Sequence, residues 1–114
     1  MWFEMEIVQG QDYEVTFQAS DPETGAPLDI RSGFTFSGIV SLTTNNQENP
    51  LYTFPVGDTG LLPQNGSLIV RVPGDISEDW TFERVVYGIR VFNNADGREI
   101  MGIRGLFRVI PTVT

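Results

Sequence analysis

Apolar and polar residues alternate with a period of two along most of this chain. At the start, Phe3, Met5 and Ile7 are separated by two glutamates, Glu4 and Glu6. Similar alternation recurs over residues 13–19, 34–42, 81–93 and 99–110. Alternation of this kind places apolar side chains on one face of a β-strand and polar side chains on the other. The pattern therefore predicts strands whose inner faces share a core.

Clusters of Gly, Pro, Asn and Asp separate the alternating segments. They occupy residues 9–12, 21–25, 43–50, 65–66 and 93–97, and such residues favour turns and loops. The Asn65-Gly66 pair predicts a hairpin, because both residues accept the positive φ that a two-residue turn demands. Residues 75–80 are the one helix-like segment, with Asp75 or Ser77 positioned to cap it. A single helical turn is therefore predicted there.

Short strands at regular spacing, without alternating helices, favour two packed antiparallel sheets. The predicted fold is an all-β, immunoglobulin-like antiparallel β-sandwich of about seven or eight strands with one short helical turn; a small closed barrel is the alternative. At 114 residues, the chain is the size of one domain, 1–114. Alternation places Leu42 on the core face and Ser41 on the outer face. The predicted core includes Phe36, Val70, Tyr87, Ile89 and Phe107.

The composition excludes several classes of function. Seven arginines stand against fifteen carboxylates, a net charge of −8, whereas nucleic-acid binding needs a basic surface. The chain has no lysine, histidine or cysteine, so the usual side chains for proton transfer, Schiff-base and thiolate chemistry are missing. Mean hydropathy is −0.08, no apolar run is long enough to cross a bilayer, and the N-terminus lacks a signal-peptide pattern. We expect no enzyme, no membrane partner and no nucleic-acid partner.

Two groups of oxygen-bearing side chains are candidates for chemistry. Four carboxylates near Trp80 have the composition of a glycosidase site: Asp75, Glu78, Asp79 and Glu83. Helix capping, with a tryptophan that closes the end of the sandwich, explains them more simply. The loop residues Asp21, Glu23, Asn93, Asn94 and Asp96 lack the regular spacing of a calcium loop, and turn chemistry accounts for them. We expect no catalytic residue, no cofactor and no metal.

Several short stretches, in order along nearly the whole chain, are similar to one protein family. The start, Phe3-x-Met5-x-Ile7-x-Gln9-Gly10-x-x-Tyr13, resembles its first two strands, and residues 25–30 resemble its G-x-P-(I/L)-D-L turn. Residues 60–70 resemble its hairpin, 76–80 its one-turn helix and 86–89 its Y-D-L strand, with Gly88 in place of Asp. Residues 105–114 resemble its G-x-x-x-V-x-P-E-V-T end, with Thr112 in place of Glu. The family comprises small phage proteins similar to the N-terminal domain of baseplate upper proteins.

This resemblance implies an immunoglobulin-like domain that docks on other virion proteins, and it supplies no catalytic residues. The chain is therefore expected to be a structural or adaptor protein of a tailed-phage particle, in the tail, baseplate or fibre. It is expected to be made in the host cytoplasm and to reside in the virion. Its partners are expected to be other virion structural proteins, with several copies in one assembly.

The predicted interface comprises Trp2, Phe3, Met5, Arg90, Arg98 and Arg104. The first three belong to an apolar segment that must be covered, either as a strand of the chain's own sheet or as an arm on a neighbour. The arginines are candidates for pairing with carboxylates across a contact.

Two other functions stay open at this point. A carbohydrate- or receptor-binding module needs exposed aromatic rings, and the candidates are Trp2, Tyr52, Phe54 and Trp80. A bacterial surface module is the other possibility, and the missing signal peptide argues against it.

Overall fold

The computed structural model describes residues 2–42, 50–81 and 83–111. These residues form eight strands and one short helix. In chain order the elements are β1 (Trp2–Val8), β2 (Tyr13–Gln18), β3 (Phe34–Ser41), β4 (Tyr52–Thr53), β5 (Leu61–Pro63), β6 (Ser67–Val72), α1 (Gly74–Ser77), β7 (Arg84–Asn93) and β8 (Glu99–Ile110). The predicted all-β class, strand number and single helical turn are confirmed. The loop predicted at 43–50 lies outside the described residues except for Pro50.

The strands form two sheets that pack face to face. The larger sheet has the strand order β1-β8-β7-β3-β4, and the smaller sheet has the order β2-β6-β5. Aromatic rings join the sheets: Phe3 lies 5.3 Å from Phe17, and Tyr13 lies 5.4 Å from Phe107, measured between ring centroids. The predicted sandwich is therefore confirmed, and its described strands do not close into a single barrel.

One strand pairing departs from the antiparallel prediction. β1 runs parallel to β8 in continuous register, from Trp2 opposite Arg104 to Val8 opposite Ile110. The close approach of the two backbones depends on Gly105, because a β-carbon at that position would collide with the carbonyl oxygen of Phe3. The N-terminal segment is thus a strand of the chain's own sheet. It is also an edge strand, bonded on one side only.

Phe107 is fully buried at the centre of an aromatic cluster. It stacks on Tyr87 at 4.7 Å, meets Tyr13 edge-on at 5.4 Å and lies 6.4 Å from Trp80. Burial raises the pKa of Tyr87, so its hydroxyl stays protonated and donates a 3.1 Å hydrogen bond to the Phe3 carbonyl. Phe36 is half-buried against this core, and the other predicted core residues are buried: Val70, Tyr87, Ile89 and Phe107.

The helical turn α1 is bonded to the corner between β1 and β2. The Asp12 carboxylate caps it by accepting a 2.8 Å hydrogen bond from the Gly74 N–H. The Ser77 hydroxyl, buried at the other end, accepts a 3.1 Å bond from the Gly10 N–H. The prediction that Asp75 or Ser77 caps the turn is therefore wrong, because the turn begins at Gly74 and its cap comes from a distant corner.

Two other local predictions are correct only in part. Leu42, predicted on the core face, is 40% exposed, because β3 ends at Ser41 and the alternation stops with the strand. Ser41 is in register with Val86, which lies between the core positions Val85 and Tyr87, so it keeps its predicted outer face although it is buried. The predicted hairpin does join β5 to β6, closed by a 2.9 Å bond from the Gln64 N–H to the Ser67 carbonyl. Only Gly66 has a positive φ, 87°, so the turn does not place Asn65 in the left-handed region.

Candidate docking face on the larger sheet

The outer face of the larger sheet is built from the residues that alternate with the buried core positions. On β7 and β8 the core positions include Val85, Tyr87, Ile89, Ile103 and Phe107. The positions between them point outward, and four of these are exposed arginines: Arg84, Arg90, Arg104 and Arg108. We refer to this outer surface of β1, β8, β7 and β3 as the arginine face. In the described part of the chain, no other strand or helix packs over it.

Two glycines create a depression at the centre of the arginine face. In the register of β7 with β8, Gly88 lies opposite Arg104, and Gly102 lies opposite Arg90. The Arg104 stem passes beside Gly88, whose missing β-carbon would stand 3.9 Å from Arg104 Cγ. The result is a shallow depression of about 850 Å³, with Ser37 and Ile39 on its far side. The Glu99 carboxylate lies over Gly102 in a similar way, so charged side chains occupy the places that β-carbons would take.

The Arg90 side chain is held in place over this depression. Its guanidinium forms two 3.2 Å hydrogen bonds with the Glu99 carboxylate and lies 4.8 Å from the centroid of the Phe92 ring. The hydrogen bonds from Arg90 lower the pKa of Glu99, with smaller help from the charge of Arg104. Both charged groups of the pair therefore remain ionised at neutral pH.

Arg104 has no carboxylate within 4 Å among the described residues. It shares its row across the sheet with Trp2 on β1 and Ile39 on β3. Trp2 is 55% exposed, the most exposed large ring among the described residues. Arginine and tryptophan are the side chains that contribute most often to binding energy at protein interfaces. This row therefore combines an unpaired guanidinium with apolar surface.

The structure brings together three of the six predicted interface residues: Trp2, Arg90 and Arg104 share the arginine face. The other three lie elsewhere. Phe3 and Met5 point into the sandwich, where Met5 Sδ accepts a 3.0 Å hydrogen bond from the Tyr13 hydroxyl. Arg98 lies at the turn between β7 and β8, 3.7 Å from Glu23. The interface assignment for all six residues stays a prediction.

The charges of the molecule are segregated. The arginine face holds its four arginines and three glutamates, Glu4, Glu6 and Glu99, a net charge of +1. The remaining described residues hold three arginines and eleven carboxylates, a net charge of −8. Two of those three arginines, Arg31 and Arg71, are bound by carboxylates at 2.7 and 2.6 Å. The arginine face is therefore far less acidic than the rest of the described chain.

The other depressions offer less to a ligand. One of about 300 Å³ surrounds Arg71, but that guanidinium is already held by Glu14 at 2.6 Å and by Asp58 at 3.8 Å. Trp80, named as a ring that could stack on a sugar beside four carboxylates, is only 3% exposed and so presents no stacking surface there.

The candidate calcium loops use their oxygens in turns. Asp21 accepts hydrogen bonds from the N–H groups of Glu23 and Thr24, and Asp96 accepts one from Arg98. Within the described residues, no group of three acidic side chains is arranged to hold a metal ion.

The aromatic residues named for a sugar platform do not share a surface. Phe54 and Trp80 are buried at 5% and 3% exposure. Trp2 lies on β1 and Tyr52 on β4, which are the opposite edges of the larger sheet, about 19 Å apart at the usual strand spacing. Tyr52 is also half-buried and packs edge-on against Phe54.

No protein-family model matches the chain, and no curated protein matches it. No helix in the described residues has the length and hydropathy of a membrane span.

Proposed function

We propose that this chain is a structural or adaptor protein of a tailed-phage particle that works by docking on other virion proteins through the arginine face. The observation that carries the docking role is the joint exposure of Trp2 and Arg104 beside the depression at Gly88. A flat sheet face with an aromatic anchor and an unpaired arginine suits a protein surface better than a small substrate. The virion assignment is supported by the resemblance described above.

A particle-level experiment tests this function. In cells infected with the phage that encodes the chain, deletion of its gene should block production of complete particles, and the wild-type gene supplied in trans should restore it. A gene that encodes the Arg104→Glu variant should restore few complete particles, because the substitution reverses the charge at the centre of the arginine face. A gene that encodes the Arg31→Glu variant should restore particle production, because Arg31 pairs with Asp29 away from the arginine face.

Mass spectrometry of purified wild-type particles provides the second measurement. The chain should be present in several copies per particle. Its absence from particles, or undiminished particle yield after deletion of the gene, would overturn the proposal.

A further inference from the structure

We propose that the arginine face binds the acidic helix end of a second copy of this chain, so that copies associate head to tail. The inference rests on the proposed docking function and names the partner. The acidic helix end is the group of carboxylates in and after α1: Asp75, Glu78, Asp79 and Glu83.

The arginine face and the acidic surface of a second copy are complementary in charge. The chain as a whole is acidic, at −8, and the described surface outside the arginine face has that same net charge over eleven carboxylates. A second copy therefore presents the acidic surface that the arginine face can attract. Two arginine faces each carry a net charge of +1, so a face-to-face contact gains less from charge than a contact with an acidic surface.

Charged side chains without ion-pair partners on both surfaces also favour this contact. All four carboxylates of the acidic helix end are exposed, and within the described residues none has an arginine within 4 Å. Arg104 is likewise unpaired. A guanidinium offers two parallel N–H donors to a carboxylate, so a contact between copies would supply both groups with the partners that they lack.

Within one molecule the acidic helix end is distant from Arg90 and Arg104, although Glu83 lines a depression together with the outer arginines Arg84 and Arg108. The acidic helix end precedes β7, whereas Arg90 lies six residues further along that strand than Arg84, a distance of about 20 Å at the rise of an extended chain. Arg104 lies beside Gly88, also well beyond the start of β7. Arg90 and Arg104 on the face, and Asp75, Glu78 and Asp79 at the helix end, are thus available to different neighbours at the same time.

Head-to-tail association has a structural consequence. A contact between two different surfaces leaves one of each surface free on every dimer, so it continues into a ring or a filament. The arginine face covers about 19 by 33 Å, roughly 600 Å², from strand spacing and rise. That is less than the roughly 800 Å² per partner of a standard interface, so we expect a weak pairwise contact, which many copies in one array would reinforce.

Sedimentation velocity of the purified full chain tests the inference. From about 10 μM to 1 mM protein at low salt, the sedimentation coefficient should rise with concentration. In about 0.5 M NaCl the rise should disappear, because exposed charges are screened over a few ångströms. Arg104→Glu should weaken association at least tenfold, and so should a double variant with Glu78→Arg and Asp79→Arg.

A mixing experiment and a matched control complete the design. Mixing the two variants should restore association, because the reversed face of one is complementary to the reversed end of the other. Arg31→Glu makes the same charge change away from the face and should associate as the native chain does. Melting temperatures close to the native value should show that each variant is folded.

Three results would overturn the inference: a native chain that is monomeric throughout, association that Arg104→Glu leaves unchanged, or variants that do not associate when mixed. These results can be separated from failure of the proposed function. If the native chain is monomeric but Arg104→Glu still fails to restore particles, the face docks on a different virion protein and only the copy-to-copy contact is wrong.

Discussion

Replacing Phe107 with alanine tests the sandwich at its centre. The ring is fully buried and contacts Tyr13 and Tyr87, with Trp80 at 6.4 Å. Truncation of a buried phenylalanine costs about 3–5 kcal/mol. The lost aromatic pairs, each worth roughly 0.5–1.5 kcal/mol beyond area burial, place the expected loss toward the upper end of that range. A loss of about 4–5 kcal/mol lowers the melting temperature of a domain this size by about 15–20 °C.

Urea unfolding followed by circular dichroism measures this loss through linear extrapolation to water. The matched control is Leu106→Ala, because Leu106 precedes Phe107 on β8 but points to the outer face, where it is half-buried. We expect the control to lose about 1–2 kcal/mol, since only part of the side chain leaves an apolar contact. A loss below about 1.5 kcal/mol for Phe107→Ala, or equal losses in the two variants, would show that the strand faces are assigned incorrectly.

Two further predictions address the N-terminal strand and the pH dependence. Gly105→Ala should detach β1 or unfold the domain, because its β-carbon meets the Phe3 carbonyl, and hydrogen exchange of the β1 amides should rise sharply. Gly88→Ala, whose β-carbon would make only an ordinary 3.9 Å contact with Arg104 Cγ, should leave this exchange unchanged. Hydrogen bonds from Arg31 lower the pKa of Asp29 from 3.8 to about 2. This pairing therefore favours the folded state above about pH 4 and is lost as the pH falls through about 2. An NMR titration midpoint near 4 for native Asp29 would contradict the bidentate pair, and Arg31→Ala should produce that midpoint.

The extent of the strands could be predicted because each strand has one face in the core and the other toward solvent. Burial along β7 follows the predicted alternation from Val85 to Val91. The direction of pairing could not be predicted in the same way, because parallel and antiparallel strands share a period of two. β1 is parallel to β8, and the one local feature that permits its close approach is the missing side chain of Gly105.

Contacts between distant segments account for most of the other differences. The α1 cap comes from Asp12, sixty-two residues before Gly74, so no local motif around the helix could reveal it. The sequence places Asp75 and Ser77 where a local cap is expected, but Ser77 is bonded to the β1–β2 corner. Local propensity predicted that a turn forms, and tertiary hydrogen bonds determined where it begins.

The arginine face could be predicted from the sequence in part. Alternation alone places Arg84, Arg90, Arg104 and Arg108 on the outside of their strands. What it does not supply is which residues face each other across strands. That register sets Gly88 beside Arg104 and Gly102 beside Arg90, and so creates the depression. β7 and β8 are consecutive strands joined by the turn at 93–97, and a short hairpin turn fixes which residues pair. Pairing the two strands from this turn could therefore have predicted where the depression lies.

The uneven distribution of charge over the surface favours a different partner from the one that net charge alone suggests. From a net charge of −8 alone, a basic partner is at least as plausible as a second copy, because identical acidic chains repel. The fold concentrates four of the seven arginines on one face, so that face can attract carboxylates at short range although the molecule as a whole is acidic. Copies that repel at a distance can still attract once an acidic end meets this face, and moderate salt weakens the distant repulsion before it screens the contact. Association that first strengthens and then weakens as salt is raised would therefore distinguish head-to-tail docking from simple attraction to a basic partner, which weakens throughout.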